Sequence, residues 1–312
     1  MSISRALGLA DAARHRAYPK PTVGAVLVRD GEIIAEGATE EGGRHAEAVV
    51  LDEAGERARG ATLYVTLEPC AHHGTTPPCA DAIVEAGVER VVFASHDPNP
   101  EAAGGEGKLR AAGVDVEFVD WPEARIQNEA WRTWVAERRP FVIYKAAVSL
   151  DGRVTVPGRR WVSGEESRRL VHELRAQVDA VAVGGGTARA DQPRLDARDV
   201  ETPKGQPRRL VFSQGLVPDG LELERRSGPL AEELGALAAE GVQSLLLEGG
   251  PTLAAAFLEA DLVDKLMIFI APVLSGDGPT AAAPLPSPRT LSNLTARLVG
   301  DDVLLEAYVH LP

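Results

Sequence analysis

A chain of 312 residues is long for one hydrophobic core and comfortable for two, and with 44% hydrophobic and 25% charged residues it has an ordinary globular composition. Its net charge of −13 argues against nucleic acid as a partner, because a phosphate backbone needs a basic face. No run of about 18 apolar residues offers a membrane span; the start lacks a basic-then-apolar layout, and two cysteines do not make a secreted disulfide framework, so a cytoplasmic location is expected.

Ser2 to His15 carries Ile3, Leu7, Ala10 and Ala13 at helical spacing, and Pro19 and Pro21 stop it. Asp30-Gly31 is a hairpin signal between strand-like runs over 23–29 and 32–38. A helix is predicted over 44–58, with His45 and Glu47 in its first turn. Strand 61–67, helix 79–86, strand 88–94, helix 107–112 and strand 114–119 follow. This order predicts a mixed sheet with helices on both faces. A helix over 121–139 places Trp131 and Trp134 on one face, where packing between two domains is expected. Arg138-Arg139-Pro140 marks the boundary, giving domains 1–139 and 140–312.

Beyond it, strands are predicted over 141–148, 178–183, 207–212, 242–247, 264–271 and 303–309, with helices over 165–176 and 229–240 and a loop over 275–289. Two strands run into glycine turns, Gly184-Gly185-Gly186-Thr187 and Glu248-Gly249-Gly250-Pro251-Thr252. Glycines let backbone amides approach a phosphate, and Pro251 suits a helix start. Neither turn is a dinucleotide fingerprint by itself; as a pair in one domain they favour a dinucleotide site. Phe141 to Val200 holds ten basic and eight acidic residues, so arginines gather beside these turns in an acidic chain, as anion binding would need.

The most specific chemistry lies between His45 and Cys79. Cys70 and Cys79 are the only cysteines, and His45 stands two residues before Glu47. Two thiolates and one imidazole would hold a zinc ion and leave its fourth tetrahedral position for water, with Glu47 placed to move protons. The His-x-Glu and Pro69-Cys70 elements resemble the zinc-deaminase signature, except that eight residues rather than two separate the cysteines. Gly74, Pro77 and Pro78 in that insert allow a turn that reunites them. His72 and His73 lie inside it.

The chain also resembles, over nearly its whole length, the bifunctional riboflavin-biosynthesis family that joins a pyrimidine deaminase to a reductase. The likeness rests on Pro19-x-Pro21-x-Val23-Gly24, His45-Ala46-Glu47, Leu67-Glu68-Pro69-Cys70, Thr76-Pro77-Pro78-Cys79 and Asp97-Pro98-Asn99-Pro100. In the second half it rests on Ser149-Leu150-Asp151-Gly152-Arg153, Trp161-Val162-Ser163, Leu174-Arg175-Ala176, Asp191-x-Pro193-x-Leu195 with Arg198, and Glu248 to Thr252. It implies a cytidine-deaminase-like α/β/α domain followed by a dihydrofolate-reductase-like α/β domain. The first would use zinc hydroxide to deaminate 2,5-diamino-6-(5-phosphoribosylamino)pyrimidin-4-one; the second would use NADPH to reduce the ribosyl group to ribityl.

By the same resemblance, His45, Cys70 and Cys79 hold zinc and Glu47 is catalytic. NADPH meets Ala147, Trp161, Thr187, Asp191, Ser213 and the run Gly250, Pro251, Thr252, Leu253, Ala254, Ala255 and Ala256. Substrate meets Lys20, His72 and Thr75 in the first half, and Lys145, Arg159, Arg175, Leu195, Arg198 and Glu248 in the second. The family usually has Asn at Lys20, Lys or Arg at Thr75 and Ser at Arg159, and Gln192 and Ser213 replace acidic residues. Lys20 is expected to supply the cation missing at Thr75. A homo-oligomer, dimer or tetramer, is also expected. Two other readings are a single-activity deaminase of another pyrimidine or pterin with a degenerate reductase half, and a non-catalytic protein braced by zinc.

Overall fold

The computed structural model describes residues 2–72, 77–218 and 220–312. The chain divides into two compact units, Met1–Ala136 with Pro312 and Glu137–Leu311. Each has its own sheet.

The first stretch of chain runs α1 (Ser2–Ala17), β1 (Gly24–Arg29), β2 (Glu32–Ala38), α2 (Ala46–Ala54), β3 (Thr62–Val65), α3 (Cys79–Glu85), β4 (Arg90–Phe93), α4 (Gly105–Ala111), β5 (Asp115–Phe118), α5 (Pro122–Gln127) and α6 (Glu129–Glu137). The sheet order is β2-β1-β3-β4-β5; β1 is antiparallel to β2 and β3, and β3, β4 and β5 are parallel. Side chains alternate across it, so both faces need cover. Val91 and Phe93 of β4 join a core with Val50, Ile83 and Leu109, while Val92 and Ala94 turn to Ile3 and Ala124 on the other face. The mixed, two-faced sheet expected from the element order is present. Gly24 is required by packing: a Cβ there would stand 1.9 Å from the Ala6 carbonyl oxygen of α1.

Two expectations need correction. The helix predicted over 44–58 is α2, ended at Ala54 and continued by a 3-10 turn over Gly55–Ala58; His45 is its N-cap rather than part of its first turn. The helix predicted over 121–139 is two helices parted at Asn128. The Asn128 side chain accepts from the Thr22 amide and donates to the Thr22 carbonyl, a distant pairing that no local pattern announces. Trp131 is buried in the first unit's own core, and Trp134 packs against that core.

The second stretch runs β6 (Phe141–Ser149), α7 (Glu165–Gln177), β7 (Ala180–Gly184), α8 (Gly185–Asp191), β8 (Arg208–Phe212), β9 (Glu224–Arg226), α9 (Leu230–Ala239), β10 (Ser244–Leu247), α10 (Pro251–Glu259), β11 (Lys265–Ala271), β12 (Ser292–Val299) and β13 (Asp302–Tyr308). The sheet order is β12-β13-β11-β6-β10-β7-β8-β9. From β11 to β9 neighbours are parallel, and β13 and β12 add antiparallel pairs at one edge. Leu245, Leu247, Ala180, Ala182 and Leu210 are fully buried against Leu234, Leu237, Ala254 and Phe257 of the covering helices. Parallel strands covered by helices leave their carboxyl ends as the natural ligand crevice. Strands β9 and β12 have no counterpart among the predicted elements. Strand β12 is an edge held by backbone pairing with β13, and it leaves Leu294 and Leu298 exposed. Among the described residues no helix is long and apolar enough to cross a membrane.

Candidate active sites

His45, the N-cap of α2, makes no capping bond with its side chain. Its Nδ1 lies 3.1 Å from Cys79 Sγ and 3.7 Å from Cys70 Sγ. Tetrahedral zinc with Zn–S of about 2.3 Å and Zn–N of about 2.0 Å sets such donors about 3.6 Å apart. One ligand atom from each residue falls in a cluster within 4.8 Å, and among the described residues this is the one such group of histidine, cysteine and acidic side chains. Cys79 opens α3, and its amide donates to Cys70 Sγ at 3.3 Å. The donor set of two thiols and one imidazole fits zinc with an open fourth position.

Electrostatics agree with a cation site. The Cys70 thiol is held down to about 4, first by the Cys79 thiol and then, against burial, by His45 and the Cys79 amide. The Cys79 thiol is pushed up because the pair shares one proton and it is also buried beside Glu47. A cation between them would let both ionise. His45 is raised, chiefly by its bond to Cys70. Glu47 is 4% exposed, and burial raises its carboxyl.

Lys20 Nζ donates to the Gly43 carbonyl at 3.4 Å and lies close enough to oppose protonation of His45, so this cation stands by the metal cluster. His72 Nδ1 is buried and has no hydrogen-bond partner among the described residues, as an atom awaiting a ligand would be. Thr75, with His73, Gly74 and Thr76, lies outside the described residues. A residue that motif reading gave no role is Glu68. Its Oε1 accepts from the amides of Gly104 and Glu106, and its Oε2 from the amide of Asp97, with His96 Nδ1 at 3.2 Å. This buried carboxylate ties the segment 96–106 to the loop after β3 that carries Cys70. Gly105 presses onto the same place; a Cβ there would lie 1.7 Å from the Pro69 carbonyl oxygen.

In the second unit, Arg175 Nε and Nη2 donate to Glu248 Oε1 and Oε2 at 2.6 and 3.0 Å, and Lys145 Nζ stands 3.5 Å from Oε2. Burial alone would raise the Glu248 carboxyl, but Lys145 and Arg175 outweigh it and hold it at about 2. Arg175 also donates to the Asp196 carbonyl, and Arg198 pairs with the Asp196 carboxylate. The Leu195 side chain is fully buried at a positive φ of 55°. Arg159 is exposed, and Trp161 is exposed with Arg160 and Arg168 against its ring.

The glycine turns lie side by side at the strand ends. A Cβ on Gly250 would stand 3.2 Å from Thr187 Oγ1, and one on Gly184 would stand 3.4 Å from Leu253 Cβ. Ala147, Gly250, Pro251, Leu253 and Ala256 are half-buried, Thr252 and Asp191 are exposed, and Ala254 and Ala255 are buried, Ala254 in the core. Close-set glycines with two helix starts fit the phosphates of a dinucleotide cofactor.

A soft-metal cluster with a buried glutamate in one unit, and twin glycine turns on a parallel sheet in the other, define a zinc-dependent deaminase fused to a reductase. Residues 2–95 match the cytidine and deoxycytidylate deaminase zinc-binding region, and residues 140–305 match the RibD C-terminal domain. The chain is 40% identical to riboflavin biosynthesis protein RibD of Mycobacterium tuberculosis, covering 97% of this chain and 96% of that protein. With the Escherichia coli protein of the same name it is 36% identical, covering 97% of each. A crystal structure from Thermotoga maritima, described as a diaminohydroxyphosphoribosylaminopyrimidine deaminase/5-amino-6-(5-phosphoribosylamino)uracil reductase, superposes with a TM-score of 0.82 at 32% identity, over 98% of this chain and 97% of that one.

The chain belongs to the RibD family of riboflavin-biosynthesis proteins. It is an enzyme of riboflavin biosynthesis with deaminase and reductase activities, a hydrolase and an oxidoreductase that use Zn2+ and NADPH. Both halves match their family counterparts, so a single-activity deaminase is not favoured.

Proposed function

We propose that residues 1–139 deaminate 2,5-diamino-6-(5-phosphoribosylamino)pyrimidin-4-one and that residues 140–312 then reduce its ribosyl group to ribityl with NADPH. The observation that carries the first step is the convergence of His45, Cys70 and Cys79 beside the buried Glu47. Zinc held by those three side chains would supply an activated water molecule near neutral pH. Glu47 takes the proton from that water, passes it to the pyrimidine ring nitrogen, and assists departure of the C2 amine as ammonia. Lys20 supplies positive charge from the pocket wall, and the unpartnered His72 Nδ1 faces the ring.

In the second unit, NADPH supplies the hydride that turns the ribosyl group into a ribityl chain. Ala147, Trp161, Thr187, Asp191, Ser213 and residues 250–256 hold it. Lys145, Arg175 and Glu248 form a pre-set charged triad for the sugar, with Arg198, Arg159 and the backbone at Leu195 around the phosphate end. Their rigidity orients the substrate before hydride transfer. The protein is cytoplasmic and assembles as a dimer or tetramer; the exposed Leu294 and Leu298 on the edge strand β12 support self-association. Incubating the purified protein with the diaminopyrimidine ribotide tests this reading. Ammonia should appear without NADPH, and NADPH oxidation should begin only once deaminated product forms. Ammonia release with no NADPH oxidation afterwards would refute the two-step reading.

A further inference from the structure

On the far side of the glycine turns, the turn after β8 meets a guanidinium from α8. A Cβ built on Gly185 would meet Ser213 Oγ at 2.4 Å and Arg189 Nη1 at 3.2 Å. One built on Gly215 would meet the same two atoms at 4.0 and 3.9 Å. A hydroxyl and a guanidinium therefore share one small space between two glycines. Arg189 Nη1 donates to the Leu216 carbonyl at 3.2 Å. Arg225, reaching from β9, donates to the carbonyls of Ser213 and Gln214 at 3.1 and 2.9 Å and so fixes the turn.

Charge sets these two arginines apart. The arginines nearest them along the same sheet edge are neutralised: Arg208 by Glu224 and Glu240, Arg209 by Glu222, Arg226 by Glu224, Glu233 and Glu240. Among the described residues, neither Arg189 nor Arg225 is paired with a carboxylate, and residues 213–218 contain none. In a chain of net charge −13 an unneutralised guanidinium pair at a strand end is positioned for an anion from outside.

The sheet order names the anion. β8 lies next to β7, on the side away from β10. A dinucleotide whose pyrophosphate rests at the glycine turns after β7 and β10 carries its adenosine ribose toward the end of β8. In parallel nucleotide-binding sheets an acidic side chain at such a place takes the free ribose hydroxyl of NAD, and an arginine takes the 2′-phosphate of NADP. Here the place is taken by Ser213 and Arg189. We propose that Arg189, with the Ser213 hydroxyl and on a turn braced by Arg225, is the subsite for the 2′-phosphate and makes the reductase select NADPH over NADH. This rests on the reading of the second unit as an NADPH reductase.

Isothermal titration of the full-length protein with NADPH, NADH, 2′,5′-ADP and 5′-AMP tests it. The last two ligands differ in the 2′-phosphate alone and do not report turnover. Wild type should bind 2′,5′-ADP more tightly than 5′-AMP. Arg189→Gln should weaken NADPH and 2′,5′-ADP by roughly 10- to 100-fold, the range expected for a charge-assisted contact. NADH and 5′-AMP should stay within about twofold, and Arg189→Lys should recover most of the loss. Arg189 is exposed, so these variants should fold, and unchanged NADH binding confirms it. Arg189→Gln holding NADPH within about threefold, or losing NADPH and NADH alike, would overturn the subsite while leaving the reductase in place. A wild-type protein that binds no NADPH would overturn both.

Discussion

Removing one cation from the Lys145–Glu248–Arg175 triad should cost the second unit about 3 kcal/mol while sparing the first. The perturbation is Arg175→Met, which keeps much of the stem and deletes two hydrogen bonds to a buried carboxylate. Lys145 and Arg175 together, against burial, hold Glu248 at about 2 rather than the ordinary 4.5, which at 1.36 kcal/mol per pH unit is roughly 3 kcal/mol for the two cations jointly. The expected cost of deleting Arg175 alone comes from the carboxylate it leaves short of a partner, for which removal of one member of a buried ion pair gives ~3–5 kcal/mol. Because the folded value is depressed, the contribution is complete above about pH 4.5 and disappears as pH falls toward 2. Amide hydrogen exchange resolves the two units: peptides from β6 and β10 should lose about 3 kcal/mol of protection, and those from β1 and β3 should not change. Adding Glu248→Gln should return part of the loss by removing the stranded charge. Loss below about 0.5 kcal/mol, or equal loss in both units, would show that the triad does not hold these strands together.

The deaminase half supports three more expectations. Glu47→Gln should lower ammonia release by roughly 10²- to 10⁴-fold while zinc content, read by mass spectrometry, stays at one per chain; a variant that retained its rate would remove Glu47 from the chemistry. Stripping the metal with a chelator should abolish ammonia release, leave NADPH binding intact by titration, and be reversed by zinc; a Cys70→Ser protein should fail to recover. Gly105→Ala drives a Cβ against the Pro69 backbone, so it should cost ~1–3 kcal/mol and weaken zinc in competition with a coloured chelator. Unchanged zinc affinity would show that this packing does not govern the Cys70 position.

Much of this was legible in the chain because the signals were local. A histidine two residues before a glutamate, and a proline before a cysteine, need only short spacing to be read, and the folded chain brings His45, Cys70 and Cys79 together. The order of strand-like and helical runs and the Asp30-Gly31 turn foretold the first sheet. What escaped depends on partners far along the chain. The break at Asn128 exists because its amide serves Thr22. The core that receives Trp131 and Trp134 comes from strands and helices tens of residues earlier. β12 had no buried face to produce a signal, and the Arg175–Glu248 bond joins residues 73 apart.

Glu68 presents two oxygens to three amide hydrogens and a histidine ring, and offers nothing in return. Glutamine has the same outline but would turn an NH2 group toward N–H donors at one of those oxygens, and aspartate would fall one methylene short. The fold thus reads this position to a single heavy atom. A change there would loosen the Asp97–Glu106 segment and the Cys70 loop after β3 in the same movement, so an error in a residue that touches no reactant would register as an error in metal geometry.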